Sequence, residues 1–403
     1  DNGLIIAVEE DFRLPVVAIS NTFKAGLFAD YIHGQGMTQL LSRVFLKGTN
    51  TKEADQIALS IENLGGNVSA IGGNNSLSLN SEFLSNDFAE ALNIVSNIIL
   101  HPAFPQSAVN REKKTLLMDI KEERESPLSL AAIIARENLF DNHAYKNSRL
   151  GTEDHVKGID TEKLIKYYSQ YGVSNNGVIS ICGAIDSDEV IGKVGEAFSK
   201  MKMGDEVVAQ TKDAEWPLTQ KEIEYNHHKE QAVLLIAYPG LKLDDQDRAV
   251  VSLIEEISGG MDGLLFKRIR EDLGLAYYVG TSQLVSYSRG SIYFYAGTNS
   301  ESLSKVQNEL EKIIESLISE KIDDEVLVRA KKSLIGKYSL SKQSYSSRAQ
   351  SMALNLLYGL GECYDEENLK VIKNTTSSDL QKCCQKYFNT LSKVTVRIVP
   401  NNK

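Results

Sequence analysis

No apolar run in the 403 residues approaches the roughly 20 needed for a membrane-spanning helix, which excludes a helical membrane span. Proline is scarce, at 7, and the 42% hydrophobic and 24% charged composition is that of a folded globular chain; disorder would need fewer apolar residues and more net charge. Basic charge is in deficit. The net charge of -10 is spread along the chain, which argues against nucleic acid or an anionic membrane surface as the main partner. Basic pairs such as Lys113-Lys114 and Lys331-Lys332 sit among acids and read as solvated helix faces.

Metal and redox spacings are also missing. Cys182, Cys363, Cys383 and Cys384 form no CxxC, and the adjacent pair cannot easily bridge to itself, so cysteine leaves the compartment open. Among His33, His101, His143, His155, His227 and His228 there is no HxxH or HExxH, and surface loops are the expected place for most of them. His227 and His228 are adjacent; on a strand their rings would point to opposite faces and share no metal easily. Gly259, Gly260 and Gly263 have neither the GxGxxG spacing nor a following Lys-Ser/Thr, so a phosphate loop is excluded in favour of a close-approach loop to a peptide or partner. The chain opens at Asp1, already in strand-like sequence, which suits a processed or excised piece.

The length suits two domains of roughly 200 residues each. "GLIIAVEE" and "PVVAISNTF" read as strands. A helix follows with Leu40, Leu41, Val44 and Phe45 as its apolar face. A second helix is predicted over about Lys52 to Leu64, with Asn50 or Thr51 as cap and Gly65-Gly66 as stop. "NVSAI" and "SLSLNSEF" flank the hairpin turn Gly72-Gly73-Asn74-Asn75. Helices are predicted at Phe88 to Leu100, Ser107 to Arg124 and Thr161 to Tyr171, then a strand "GVISICG" and a helix ending near Lys200. The polar stretch from Met201 to Gln220 reads as a linker, giving a first domain over 1–204, a linker over 205–220 and a second domain over 221–403. "IDTEKLIKYYSQY" lines up with "TTSSDLQKCCQKY" at an offset of 216 (Leu164 to Leu380), and the same offset lays Val16 on Ala232. A constant offset at both ends suggests a duplication. The expected fold class is α+β, two homologous domains, each a mostly antiparallel sheet with helices packed on one face.

The stretch "GMTQLLSRVFLKGT", Gly36 to Thr49, puts polar groups at i, i+3 and i+4, on one helix face. His, Glu and His there would be two zinc ligands and a general base. The stretch resembles the inverted motif HxxEH of the pitrilysin and insulinase family of zinc peptidases, whose members include mitochondrial processing peptidase, and which continues into a similar Lys-Gly-Thr. In that family a Glu about 75 residues further on is the third ligand, with another Glu seven residues before it. Here these positions are Asp119 and Glu112, in "REKKTLLMDIKEERESP". Mapped residue by residue, Gln39 and Arg43 stand at the two His positions, Ser42 at the general base and Asp119 at the Glu ligand. A guanidinium has no lone pair, Ser has no useful basicity and Gln offers a weak amide oxygen, so only Asp119 keeps a ligand type. Held as a ligand would be held, Asp119 could pair with Arg43 in the metal's place.

"GGMDGLLFKRIREDLGLAYYV" resembles the family's Gly-rich stretch followed by Arg and Tyr seven residues apart, here Arg270 and Tyr277. In active members that pair helps bind substrate and stabilise the oxyanion; the structural alternative is that Arg270 neutralises Glu271 and Asp272 while Tyr277 packs in a strand. The resemblance implies a non-catalytic member, or half, of a zinc peptidase assembly that completes the chamber of a catalytic homologue. No cofactor is expected on this chain, zinc being expected on the catalytic partner, in a heterodimer or in the other half of a longer chain, with a peptide as substrate. A structural interaction subunit resembling the core proteins of respiratory complexes is the alternative, and an autonomous zinc peptidase with unusual ligands the third class. By resemblance the compartment is a bacterial periplasm or envelope, with mitochondrial relatives also known.

Overall fold

The computed structural model describes residues 2–207 and 216–401, so part of the 205–220 linker lies outside the described residues. The chain forms two compact units. One comprises Asp1–Ile120, Ser148–Gln210 and Ser339–Glu362, the other Lys121–Asn147, Thr211–Tyr338 and Cys363–Lys403. Each unit thus incorporates a short segment that is remote in sequence.

The first unit holds a sheet of β1 (Ile5–Glu10), β2 (Val16–Lys24), β3 (Asn67–Gly72), β4 (Ser76–Leu84) and β5 (Gly177–Gly183), in the order β1-β5-β2-β4-β3. The second holds β6 (Lys221–His227), β7 (Ala232–Pro239), β8 (Tyr278–Leu284), β9 (Ser291–Thr298) and β10 (Val394–Pro400), in the order β6-β10-β7-β9-β8. Only the outer pairs β1/β5 and β6/β10 are parallel; every other pairing is antiparallel. Order and direction are therefore the same in both sheets. The helices Thr161–Tyr171 and Ser377–Phe388, which precede the closing strands, begin 377 − 161 = 216 residues apart.

β2 and β5 are buried along both faces, and inside the sheet Ser20 Oγ donates to Asn80 Oδ1 while Thr22 Oγ1 bonds Ser78 Oγ. On one side Phe23 meets Tyr168 edge-on, the rings 6.3 Å apart. On the other, Ala18 and Cys182, paired across the two strands, pack with Tyr345 and Ala349, while Val178 packs with Ala353 and Leu357. These four residues of the helix Tyr345–Leu357 recur every fourth position as one stripe, and the alanines let its backbone approach the sheet. Arg348 anchors the same helix: it bonds Glu9 and reaches Asp11 at 2.5 Å, and Arg13 and Arg348 together hold the Asp11 carboxyl well below the usual carboxylate range. In the second unit the helix Pro127–Leu139 packs against β7 and β10. It opens on Ser126, whose hydroxyl accepts from Ser129 N, with proline as its first residue.

Candidate functional site

The helix Met37–Val44 begins after Gly36, in the left-handed region at φ 88°. Its first amides are not left to solvent. The carboxylate of Asp30, from the preceding helix Leu27–His33, accepts Gly36 N at 3.2 Å, Thr38 N at 3.0 Å, Thr38 Oγ1 at 2.7 Å and Tyr167 OH at 2.9 Å. An acid at a helix N-terminus satisfies orphan donors and matches the dipole. Burial nevertheless pushes the Asp30 carboxyl up to about 6, against the lowering effect of those bonds. Leu40, Leu41, Val44 and Phe45 are fully buried and fix the rotation of the helix.

That rotation presents Gln39, Ser42 and Arg43 to β3 and to the helix Gln106–Glu125. A Cβ on Gly72 would lie 2.9 Å from Thr38 O and 3.2 Å from both Gln39 Cα and Ser42 Oγ, so the strand end passes directly over these positions. Arg43 Nη2 donates to Asp119 Oδ2 at 2.5 Å, and Lys47 Nζ lies 3.5 Å from Glu112 Oε1. Arg43 on the first helix and Lys47, three residues beyond its end, therefore both pair with the helix Gln106–Glu125, at the positions that the two glutamates hold in the family. Ser42 Oγ is buried and donates back to Gln39 O at 2.9 Å, a local bond that leaves it no role as a base. Gln39 Oε1 and Arg43 Nε are buried without a partner. They are an acceptor and a donor one helical turn apart, able to satisfy each other by rotation of the Gln39 amide.

These residues do not fit a zinc ion. A fixed cation already neutralises the ligand-type carboxylate, and at the two imidazole positions Arg43 has no lone pair and Gln39 only a weak amide oxygen.

In the second unit, Gly259 and Gly263 are required by close approach to the chain's own backbone. A Cβ would meet Thr281 N at 2.6 Å from the first and Ser258 O at 2.7 Å from the second. Gly260, between them, closes the helix Arg248–Gly259 through its amide to Glu256 O at 3.1 Å. The segment then passes into a π-helical turn, Phe266–Asp272, a geometry enriched at functional sites. Arg270 lies on this turn, exposed, with its guanidinium 4.9 Å from the centroid of the Phe266 ring. Among the described residues no ion pair joins it to Glu271 or Asp272. Tyr277 is 60% exposed, its backbone amide fixed to Gly297 O at 2.8 Å just ahead of β8. Tyr293 is buried in β9 and Tyr295 half-buried beside Tyr278, as core packing requires.

The histidines correct two expectations. His143 and His227 are buried rather than in surface loops, and His33 is half-buried between Tyr167 and Tyr171. His143 accepts Tyr145 N at Nδ1 and contacts Ser288 Oγ through Nε2 at 2.7 Å. That tautomer makes Nε2 a donor, so the contact is structural rather than a nucleophile and base. His227 and His228 do not face opposite ways: β6 ends at His227, the chain bends, and the two rings lie 4.4 Å apart. Sequence reading also missed Asp30; its signal is an acid inside an apolar turn, six residues before the glycine that starts the next helix.

Residues 5–153 match the family described as Insulinase (Peptidase family M16), and residues 158–334 match the Peptidase M16 inactive domain. The chain is 25% identical over 403 residues to an uncharacterized zinc protease of Rickettsia bellii, covering all of this chain and 96% of that one. It is 23% identical over 409 residues to a non-peptidase homolog, YmxG, of Helicobacter pylori, covering 99% and 92%. Its fold matches the crystal structure of a peptidase M16 inactive domain from Pseudomonas fluorescens with TM-score 0.92 at 21% identity, covering 99% of this chain and 97% of that one. It matches a protease from Helicobacter pylori with TM-score 0.90 at 16% identity, covering 99% and 98%. Two matches to models of one family, side by side over residues 5–153 and 158–334, make this chain a member of peptidase family M16, the insulinase family.

Proposed function

We propose that this chain is a non-catalytic M16 subunit, or half, that completes the chamber and substrate-binding site of a zinc-binding homologue which hydrolyses peptides. The observation carrying the reading is the Arg43–Asp119 bond, which puts a guanidinium on the carboxylate that would otherwise hold the metal. With no metal and no base, this helix has no means of activating water. Arg270 and Tyr277, by contrast, are exposed and unconsumed by ion pairing, as groups that reach a peptide must be. In this reading the zinc and the general base belong to the partner, and Arg270 and Tyr277 supply a positive charge and a hydroxyl to the substrate carbonyl.

The test mixes the purified chain with a zinc-binding M16 homologue from the same genome and measures cleavage of a peptide library. Activity is expected from the mixture and not from this chain alone, with a loss of about 100-fold or more for Arg270→Ala or Tyr277→Phe, the effect of removing one oxyanion donor. Activity of the mixture untouched by both substitutions would leave the structural-subunit reading in its place.

A further inference from the structure

We infer that Glu125, His227 and His228 form a divalent transition-metal site, separate from the family's own metal position and suited to zinc. Glu125 ends the helix Gln106–Glu125, His227 ends β6, and His228 is the first residue of the bend that follows. One ligand atom from each lies within 4.8 Å of the others. Ligand atoms around a tetrahedral zinc are about 3.4 Å apart, given bonds near 2.1 Å, a spacing within about 1.5 Å of the one these three already have. Two imidazoles and a carboxylate with one position left for water form a donor set that zinc accepts.

Three features of the surroundings favour a cation here. His228 Nε2 already lies 2.7 Å from Glu125 Oε2, so two of the three donors converge without any movement. His227 is buried, which limits the freedom lost on binding. Glu125 stands at a helix C-terminus, where the carbonyl dipoles are negative, with Glu122 and Glu123 in the same turn. What binding displaces is small: the 2.7 Å contact between His228 Nε2 and Glu125 Oε2, and the 3.2 Å bond from Lys229 N to His227 Nδ1. Both histidines must be neutral to bind, so the metal is released on acidification. When bound, the ion ties the entrance of the Lys121–Asn147 segment to the end of β6 within the second unit.

The test uses the untagged full chain, stripped with a chelator, and titrated with zinc alone against a chromophoric competitor, with cobalt absorption as the readout of geometry. One ion per chain is expected, with visible cobalt bands of a low-coordinate nitrogen and oxygen site. His228→Ala and Glu125→Gln, both at exposed positions, should each weaken binding tenfold or more, while Asp119→Asn leaves it unchanged. Absence of saturable binding, or affinity unchanged in both exposed variants, overturns the proposal. So does metal lost in Asp119→Asn and kept in His228→Ala, which would assign the ion to the family position and defeat the non-catalytic reading instead.

Discussion

If Arg43 stands in for a metal, removing its charge should loosen the two helices that the metal would have joined. The magnitude follows from the geometry. The bond is 2.5 Å long, with the Arg43 side chain 20% exposed and that of Asp119 36% exposed. Unit charges about 4 Å apart at an effective dielectric near 20 attract by roughly 4 kcal/mol. Desolvation and the ordering of a long side chain offset most of this, leaving about 1–2 kcal/mol for a charge-assisted bond at a half-exposed site. Arg43→Met keeps the buried stem and removes the charge. The abandoned Asp119 is exposed enough to be hydrated, so the loss should remain near that net value and not reach the roughly 3–5 kcal/mol of a fully buried pair. A double-mutant cycle with Asp119→Asn, read by urea unfolding in far-ultraviolet dichroism, should give a coupling of about 1 kcal/mol that falls as salt rises. Hydrogen exchange should quicken in the helices Met37–Val44 and Gln106–Glu125. The single tryptophan, Trp216, packs on Phe140 in the second unit, so its fluorescence is an internal control. A coupling below about 0.3 kcal/mol, with exchange unchanged, would mean the two charges are merely adjacent, and the substitution argument would fail.

Two further outcomes test the frame around the site. Burial pushes the Asp30 carboxyl from 3.8 up to about 6, so its proton stabilises the folded state; that contribution is complete below 3.8 and lost as pH rises through 6. Relative to Asp30→Asn, the wild-type chain should therefore lose up to about 3 kcal/mol between pH 4 and 7, and a stability difference that stays flat with pH would refute the burial assignment. Restoring the motif by Gln39→His, Ser42→Glu, Arg43→His and Asp119→Glu, in a His228→Ala background, should create one chelator-sensitive zinc per chain; absence of zinc from the folded variant would show that the frame no longer holds metal geometry.

Much of this was legible because it is local. The hairpin turn after Gly72 separates β3 from β4 as its glycine and asparagine content requires, and the helix Phe88–Leu100 runs between the ends that its apolar period predicts. The helix Ala54–Asn63 is capped by Glu53 rather than by Asn50 or Thr51: the Glu53 carboxylate accepts the Gln56 backbone amide, and Gln56 Oε1 reaches back to accept Glu53 N at 2.9 Å. The helices Leu27–His33 and Pro127–Leu139 were missed. The first is under two turns long, and the second follows a Ser-Pro that reads as a stop although Pro is equally a helix start. The parallel pairing of β1 with β5, and the incorporation of remote segments into each unit, are non-local, and a stripe such as Tyr345, Ala349, Ala353 and Leu357 says that a helix is covered without saying by what. The histidine pair was misjudged for a simpler reason: alternation across a strand holds only while the strand continues, and β6 stops between them.

The altered site is then a replacement rather than a plain loss. A metal at the Met37–Val44 helix would have bound two side chains of that helix to one of Gln106–Glu125, closing a gap between charged groups. Lys47, the lysine of the Lys-Gly-Thr exit shared with the family, already faces Glu112; deleting the ligands alone would have left Asp119 without a counter-charge, and Arg43 supplies it. Selection for folding alone explains such a pair. Arg270 and Tyr277, in the other unit, lie exposed on a π-helical turn and at its exit, and the proposed role beside a partner rests on that contrast between a closed site and an open one.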